Sequence, residues 1–309
     1  MTLRFRPRRP LGRTGFVATV IGQGDLADRN VPRARCVKVL RRALDAGVNV
    51  LDTAPQYEDG LSEELVGEAL RGRREGVFLV DKIDHLDKAV APQLAGSLER
   101  LGLRSIDLAA FHAVSSLEVW ARLAASGGGL DQLGEEVRRG KARFRGISSH
   151  HPDVLAAALA DGRCDVLMFP VGLFVARRYV TEILPRARAA GVGTIGFKTF
   201  AAGKLLGDTA GYGRPLAERP RGKLSSGGVD GAAPTLPHLD VATCIRYTLT
   251  VDPDVALLGL SFENEQDQAW AAVEAFQPMD AQEQTAARLA AWEAVKDKGE
   301  VWWNPPPQV

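Results

Sequence analysis

The sequence predicts an α/β protein, a closed (β/α)8 TIM barrel. Two observations carry that prediction. Short apolar, β-like runs alternate with amphipathic stretches eight times, at intervals of roughly thirty residues. No Gly-x-Gly-x-x-Gly follows the first run, where a doubly wound nucleotide fold would carry it; Gly22-Gln23-Gly24-Asp25 is only a glycine pair in a turn. A chain of 309 residues is of ordinary length for one such barrel, so residues 1–309 are expected to form a single domain.

Taken in order, residues 17–21 read as the first strand and 33–46 as a helix, closed by Gly47. Residues 48–51 are the second strand. The helix 62–70 follows, opened by Ser62 with acidic residues in its first turn. Strands over 77–82 and 106–111 flank a helix over 88–101, and helices then cross 117–139. The fifth strand spans 142–148, before a helix over 152–160 that begins at Pro152. The sixth strand is 166–169, its helix 180–190 ends at Gly191, and the seventh strand is 192–197. A Gly/Pro/Ser-rich stretch over 199–237, either a lid or an unstructured loop, precedes a helix over 239–250. The eighth strand is 255–258, with a helix over 265–276. An extra C-terminal helix covers 281–298, and an irregular tail runs from 304 to 309.

Composition narrows the function. Basic and acidic residues number 39 and 38, a net charge of +1, which favours neither nucleic acid nor an acidic membrane surface as partner. No run approaches the 18 apolar residues that a membrane span needs, and the basic first ten residues lack the apolar stretch of a signal peptide. Cys36, Cys164 and Cys244 are few, odd in number and without C-x-x-C spacing. That fits small buried hydrophobes in a reducing compartment, so a cytoplasmic location is expected.

Active-site groups of such barrels sit at the C-terminal ends of the strands. The second strand ends in Asp52, the third in Lys82 and the fourth in His112, with Tyr57 in the loop after Asp52. The three ends are thirty residues apart each time, one βα repeat, which is expected to set them at one height around a rim. Their types make chemical sense together. Reducing a carbonyl needs a proton on oxygen, and tyrosine can supply it, but its free pKa is about 10. A lysine cation beside it favours the phenolate and lowers that value. An aspartate keeps the lysine charged and oriented, and a histidine offers a second polar contact to the oxygen. No metal is required by this set.

The same residues resemble a known family. Leu51-Asp52-Thr53-Ala54-Pro55-Gln56-Tyr57-Glu58-Asp59-Gly60, followed by Ser62-Glu63-Glu64-Leu65-Val66-Gly67-Glu68-Ala69-Leu70, closely resembles the signature of the aldo-keto reductases. The resemblance continues through Leu79-Val80-Asp81-Lys82, Ile106 to His112 and Gly140 to Ser149. Leu11-Gly12-Arg13-Thr14-Gly15 is similar to the family's N-terminal hairpin. It implies a (β/α)8 barrel and a carbonyl or alcohol oxidoreductase using a nicotinamide cofactor, NADP(H) in preference to NAD(H). It also implies a catalytic tetrad of Asp52, Tyr57, Lys82 and His112, and a small-molecule substrate. Tyr57 would be the general acid in reduction and the base in oxidation. For the cofactor it implies Gly24 among the binding residues, Ser148 and Ser149 at the nicotinamide amide, and Phe197 stacking on the nicotinamide. Thr199, Phe200, Gly203 and Leu205 would cover the pyrophosphate, and Ser261, Asn264 and Gln268 would lie near the adenosine. The sequence departs from the family at three points. Met168 stands where a Gln often contacts the carboxamide, and Ser149 replaces an Asn. The loop 259–264 has no basic residue for a 2′-phosphate, and its Glu263 would repel one.

Two other readings compete. A metal-dependent barrel hydrolase or isomerase would use His85, His112, His150, His151 and Asp84, which fall at strand ends. A cofactor-binding subunit that senses redox state or binds partners without turnover would keep the same residues. Trp120, Trp302 and Trp303 are candidates for a pocket wall, with packing of the tail onto the barrel as the alternative.

Overall fold

The computed structural model describes residues 3–24, 27–207, 236–296, 298, 301 and 303. The chain opens with a hairpin of two antiparallel strands, β1 (Arg9–Pro10) and β2 (Val17–Ala18), joined through a 3-10 turn at Gly12–Thr14. Eight parallel strands follow: β3 (Ile21–Gly24), β4 (Val50–Asp52), β5 (Phe78–Ile83), β6 (Ile106–Phe111), β7 (Ala142–Ser148), β8 (Val166–Pro170), β9 (Gly193–Phe197) and β10 (Val255–Gly259). Each pairs with the next in sequence, and β10 returns to β3 to close the barrel. The helices between them are α1 (Arg33–Asp45), α2 (Leu61–Ala69), α3 (Val90–Leu101), α4 (Leu117–Ala124), α5 (Gly129–Arg138) and α6 (Pro152–Asp161). They continue with α7 (Leu184–Ala189), entered through a π-helical turn at Tyr179–Ile183, then α8 (Val241–Val251), α9 (Glu263–Glu274) and α10 (Ala281–Val295). Among the described residues, no helix is long and apolar enough to cross a membrane.

Period-two alternation sorts the strand residues into two cores. Val50, Phe78, Val80, Leu108, Ala110, Val166, Met168, Ile195, Val255 and Leu257 fill the barrel interior. Their neighbours Leu51, Leu79, Ile83, Ala109, Phe111 and Ile147 face the helices. The hairpin plugs the N-terminal end: Leu11 is fully buried within the interior cluster. Gly12 there has φ +49°, and a Cβ on it would stand 2.2 Å from the backbone nitrogen of Gly193, so only glycine fits.

The first strand differs from its expectation over 17–21. Val17 and Ala18 belong to the hairpin, and the barrel strand is Ile21–Gly24. Its two glycines weaken its β signal, yet they are what the packing needs. A Cβ on Gly22 would lie 3.2 Å from Leu257, Val255 and Val50 at once. The second strand begins at Val50 rather than 48. Asn49 instead ties the hairpin down, accepting from Thr19 N at 2.8 Å and donating to Val17 O at 3.0 Å. The C-terminal helix stops at Val295, short of 298. Residues 208–235 of the long stretch, Asp25, Trp302 and the tail from 304 lie outside the described residues.

Candidate active site

Strand parity brings the expected groups to one mouth. Gly24, Asp52 and Lys82 follow the inward positions of their strands, and His112 is next in the inward series Leu108, Ala110 of β6. They are stepped rather than level. Asp52 is in register with Gly24 and with Val80, and Lys82 with Ala110. Gly24 and Asp52 are therefore level, Lys82 sits two residues further along than Asp52 and His112 two further than Lys82, and long side chains close the gap.

Lys82 is the centre of this arrangement. Its Nζ makes a short ion pair with Asp52 Oδ1 and donates to Thr53 O at 2.8 Å, with only 2% of the lysine side chain exposed. Burial works against its charge, but Asp52, Tyr57 and Asp81 together raise its pKa above the ordinary value. Burial likewise pushes Asp52 up, with Lys82 pulling it back. Tyr57 is half-buried, its ring centroid 5.4 Å from Lys82 Nζ. The His112 ring meets it edge-on, 5.7 Å between centroids at 80°. The loop that carries Tyr57 is held by Thr53 Oγ1 against Ser62 Oγ at 2.6 Å and by a turn from Tyr57 N to Ala54 O at 3.1 Å.

His112 has partners that the sequence did not announce for it. Its Nδ1 lies 2.5 Å from Asp84 Oδ1 and 2.7 Å from Gln56 Nε2, while Asp84 Oδ2 accepts from Gln56 N at 2.8 Å. Burial lowers the His112 pKa against the opposing pull of Asp84. His150 joins the mouth from the loop after β7, its ring 5.2 Å from Phe197. Burial, with Lys198 and His112 nearby, holds its pKa well below the ordinary value. Lys198 follows Phe197, and burial lowers it to about 8. His85 is exposed and His151 is half-buried at the start of α6, so the histidines of the metal reading do not converge. Among the described residues no group of three or more His, Cys, Asp or Glu is placed to hold a metal ion.

The expected cofactor residues divide by what they can offer. Ser148 Oγ accepts from Ala113 N at 2.8 Å, which leaves its O–H to donate. Ser149 is fully buried and spends its O–H on Val114 O at 2.7 Å while accepting from His151 N. Thr199 is 2% exposed, and its Oγ1 has no hydrogen-bond partner among the described residues. Phe200 and Leu205 bury their side chains in the outer core, so only their backbone can face a ligand. Gly203 has φ +88° and ends a 3-10 turn. Ser261, Asn264 and Gln268 line the start of α9, where Ser261 N and Phe262 N both donate to Glu265 Oε2. Met168 is buried in the barrel interior. Trp120 and Trp303 are packing residues: Trp120 is 6% exposed within the helix-side core, and Trp303 is fully buried and donates to Phe174 O at 3.0 Å. Non-glycine residues at positive φ concentrate at this mouth. Among the described residues all but Asp252 lie in loops leaving the strands' C-terminal ends: Ala27, Glu58, Asp59, Ala113, Lys198, Ala201 and Ala202. Such strain gathers at ligand-binding sites.

Comparison with known proteins places the chain by family and fold. The chain is 28% identical over 219 residues to the NADH-specific methylglyoxal reductase of Escherichia coli, covering 64% of this chain and 66% of that protein. It is 28% identical over 222 residues to the L-galactose dehydrogenase of Arabidopsis thaliana, covering 64% and 66%. The matched stretches thus span just under two thirds of those relatives' own length. The fold is shared with the aldo-keto reductase AKR11C1 from Bacillus halodurans, at TM-score 0.69 and 23% identity over 96% of this chain and 99% of that one. It is also shared with an aldo-keto reductase from Klebsiella pneumoniae solved with NADPH, at TM-score 0.67 and 22% identity over 93% and 96%. The family model described as the aldo/keto reductase family matches residues 19–280, most of the chain, and the chain belongs to that family.

Proposed function

We propose that the protein, acting as one barrel domain over residues 1–309, is a nicotinamide-dependent oxidoreductase that interconverts small carbonyl compounds and alcohols. The observation that carries this is the buried Lys82–Asp52 pair against the ring of Tyr57, with His112 meeting the same ring edge-on. Tyr57 gives its proton to the carbonyl oxygen in reduction and takes it back in oxidation. Lys82, kept charged by Asp52, stands 5.4 Å from the ring and stabilises the phenolate left when the proton is given away. His112 contacts the same oxygen or a neighbouring group and helps fix the substrate's orientation.

The mouth fits the cofactor. A buried threonine hydroxyl without a partner among the described residues, a serine whose O–H can still donate, an aromatic ring at a strand end and a strained loop after β9 suit a nucleotide. Ser148 and Phe197 would hold the nicotinamide, with Gly24 and Ser149 shaping the floor. Thr199, Phe200, Gly203 and Leu205 would cover the pyrophosphate, and Ser261, Asn264 and Gln268 the adenosine. When bound, the nicotinamide supplies or accepts the hydride.

We favour NADP(H) over NAD(H). Glu263, which alone would repel a 2′-phosphate, is paired with Arg35 at 3.4 Å and Lys38 at 3.0 Å from α1. The relatives point both ways, since one reductase was solved with NADPH and another is named NADH-specific. Calorimetric titration with each cofactor, followed by a panel of carbonyls and alcohols, tests the proposal. Tyr57→Phe is expected to cut turnover by about 10²–10⁴-fold with cofactor affinity kept, since the ring remains. Failure of both cofactors to bind at millimolar concentration, or a Tyr57→Phe variant with wild-type turnover, overturns it. Binding without turnover on any substrate would instead make the protein a non-catalytic cofactor-binding subunit.

A further inference from the structure

We propose that the groove between the loop after β8 and helix α10 is a binding site for a small carboxylate with an apolar body. Helix α10 carries two apolar stripes. Ala287, Ala291, Ala294 and Val295 are buried against the rest of the molecule. Leu289 and Trp292 face outward, 65% and 62% exposed. With Thr285 and Arg288 they are spaced i, i+3, i+4 and i+7, which puts all four on one side of the helix. The helix is anchored by its first stripe, so the second is surplus to folding, and exposed apolar surface of this kind marks a place of contact.

The facing wall is the loop after β8. Leu173 and Phe174 are buried there, and the Trp292 ring meets Phe174 edge-on, 4.7 Å between centroids at 68°. Behind this wall Trp303 Nε1 donates to Phe174 O at 3.0 Å. A Cβ on Gly172 would stand 2.8 Å from Lys198 O, so the loop lies tight on the segment after β9. The wall is thus fixed from two directions, as a preformed site requires. Between the walls lies a cavity of about 340 Å³. That is at the small end of the range, about 300–1,000 Å³, of small-molecule sites.

Charge decides what the cavity takes. Arg177 and Arg288 line it, and among the described residues no acidic side chain does. Arg177 Nη1 donates to Tyr247 Oη at 3.2 Å, and Arg288 Nη2 to Thr285 Oγ1 at 3.1 Å. Neither forms an ion pair among the described residues, whereas the adjacent Arg178 is paired with both Asp153 and Glu182. A guanidinium presents a planar fork of N–H donors that matches a carboxylate, and each of these two keeps donors to spare. A wholly apolar ligand would leave both cations unused, and an inorganic anion would leave the rings unused. An apolar body with one carboxylate uses both. The groove is separate from the barrel mouth: none of Asp52, Tyr57, Lys82 and His112 lines it.

The test uses the full-length protein with hydrocinnamate as the probe and hydrocinnamyl alcohol as its partner, which has the same apolar body and no charge. Isothermal titration calorimetry is expected to show one site for the acid. The alcohol is expected to bind about tenfold more weakly, the loss of charge-assisted hydrogen bonds. Arg177→Gln and Arg288→Gln are each expected to weaken the acid about tenfold and leave the alcohol unmoved. Trp292→Ala is expected to weaken both, because it removes a wall. None of the three side chains is buried, so the variants keep the fold, which circular dichroism checks. No binding of the acid at millimolar concentration, or equal binding of acid and alcohol, overturns the proposal. So does acid binding that survives both Arg288→Gln and Trp292→Ala, since the acid would then sit elsewhere. None of these readouts needs turnover or cofactor, so the groove and the oxidoreductase reading stand or fall separately.

Discussion

Replacing Lys82 with methionine is expected to cost stability in a way that depends on pH. The lysine and aspartate side chains are 2% and 5% exposed, so neither has water to fall back on. Methionine fills similar volume but leaves Asp52 as a buried carboxylate with no cation, and also orphans Thr53 O. Breaking a buried pair in this way costs about 3–5 kcal/mol. The sign of the pH effect follows from burial, which already lifts the Asp52 pKa and would lift it further once Lys82 is gone. An acid with a raised folded-state pKa binds its proton more tightly when folded. Its penalty is absent below the unfolded value and grows, by about 1.4 kcal/mol per pH unit, until the folded pKa is passed. Urea denaturation of both proteins at pH 5 and pH 8 should thus show a deficit at pH 8 that largely closes at pH 5. A deficit of equal size at both pH values would refute the reasoning, because it would mean that methionine disturbs packing rather than charge.

Two further outcomes are expected. Asp81 is 1% exposed beside Glu63, and burial, then Glu63, push its pKa up to about 8; the native state therefore holds a proton that the unfolded chain releases from about pH 4 upward. Asp81→Asn, which keeps the acceptor for Lys82 N, should gain in Tm over the wild type as pH rises from 5 to 8.5, and an equal difference at both ends of that range would count against it. Trp303→Ala should lose about 3–5 kcal/mol by removing a fully buried ring and its bond to Phe174 O, measured by chemical denaturation; a loss below about 1 kcal/mol would show that the C-terminal segment packs only loosely.

What was legible in the sequence shares one property: its place is set by its own strand. Asp52 and Lys82 hold inward positions at the ends of β4 and β5 and His112 lies just past the end of β6, so the repeat announced them, and the motif around Asp52 announced Tyr57. The level rim expected from even spacing became a staircase because pairing register, not chain distance, decides height. Asp84 was visible as a carboxylate near a strand end, but its meeting with His112 crosses 28 residues between adjacent strands, and no local pattern encodes it. The cofactor end shows the same limit at its widest. The loop 259–264 holds no basic residue, and Glu263 taken alone forbids a phosphate. Yet β10 pairs with β3 at the closure seam, which lays α1 beside α9 and brings Arg35 to Glu263 from 228 residues away. With Lys38 there as well, two cations stand against one carboxylate. Closure of the barrel thus neutralises the acidic loop, with Arg35, Lys38 and Arg42 of α1 facing Glu263, Glu265 and Asp267, and a 2′-phosphate would meet that balanced seam rather than Glu263 alone.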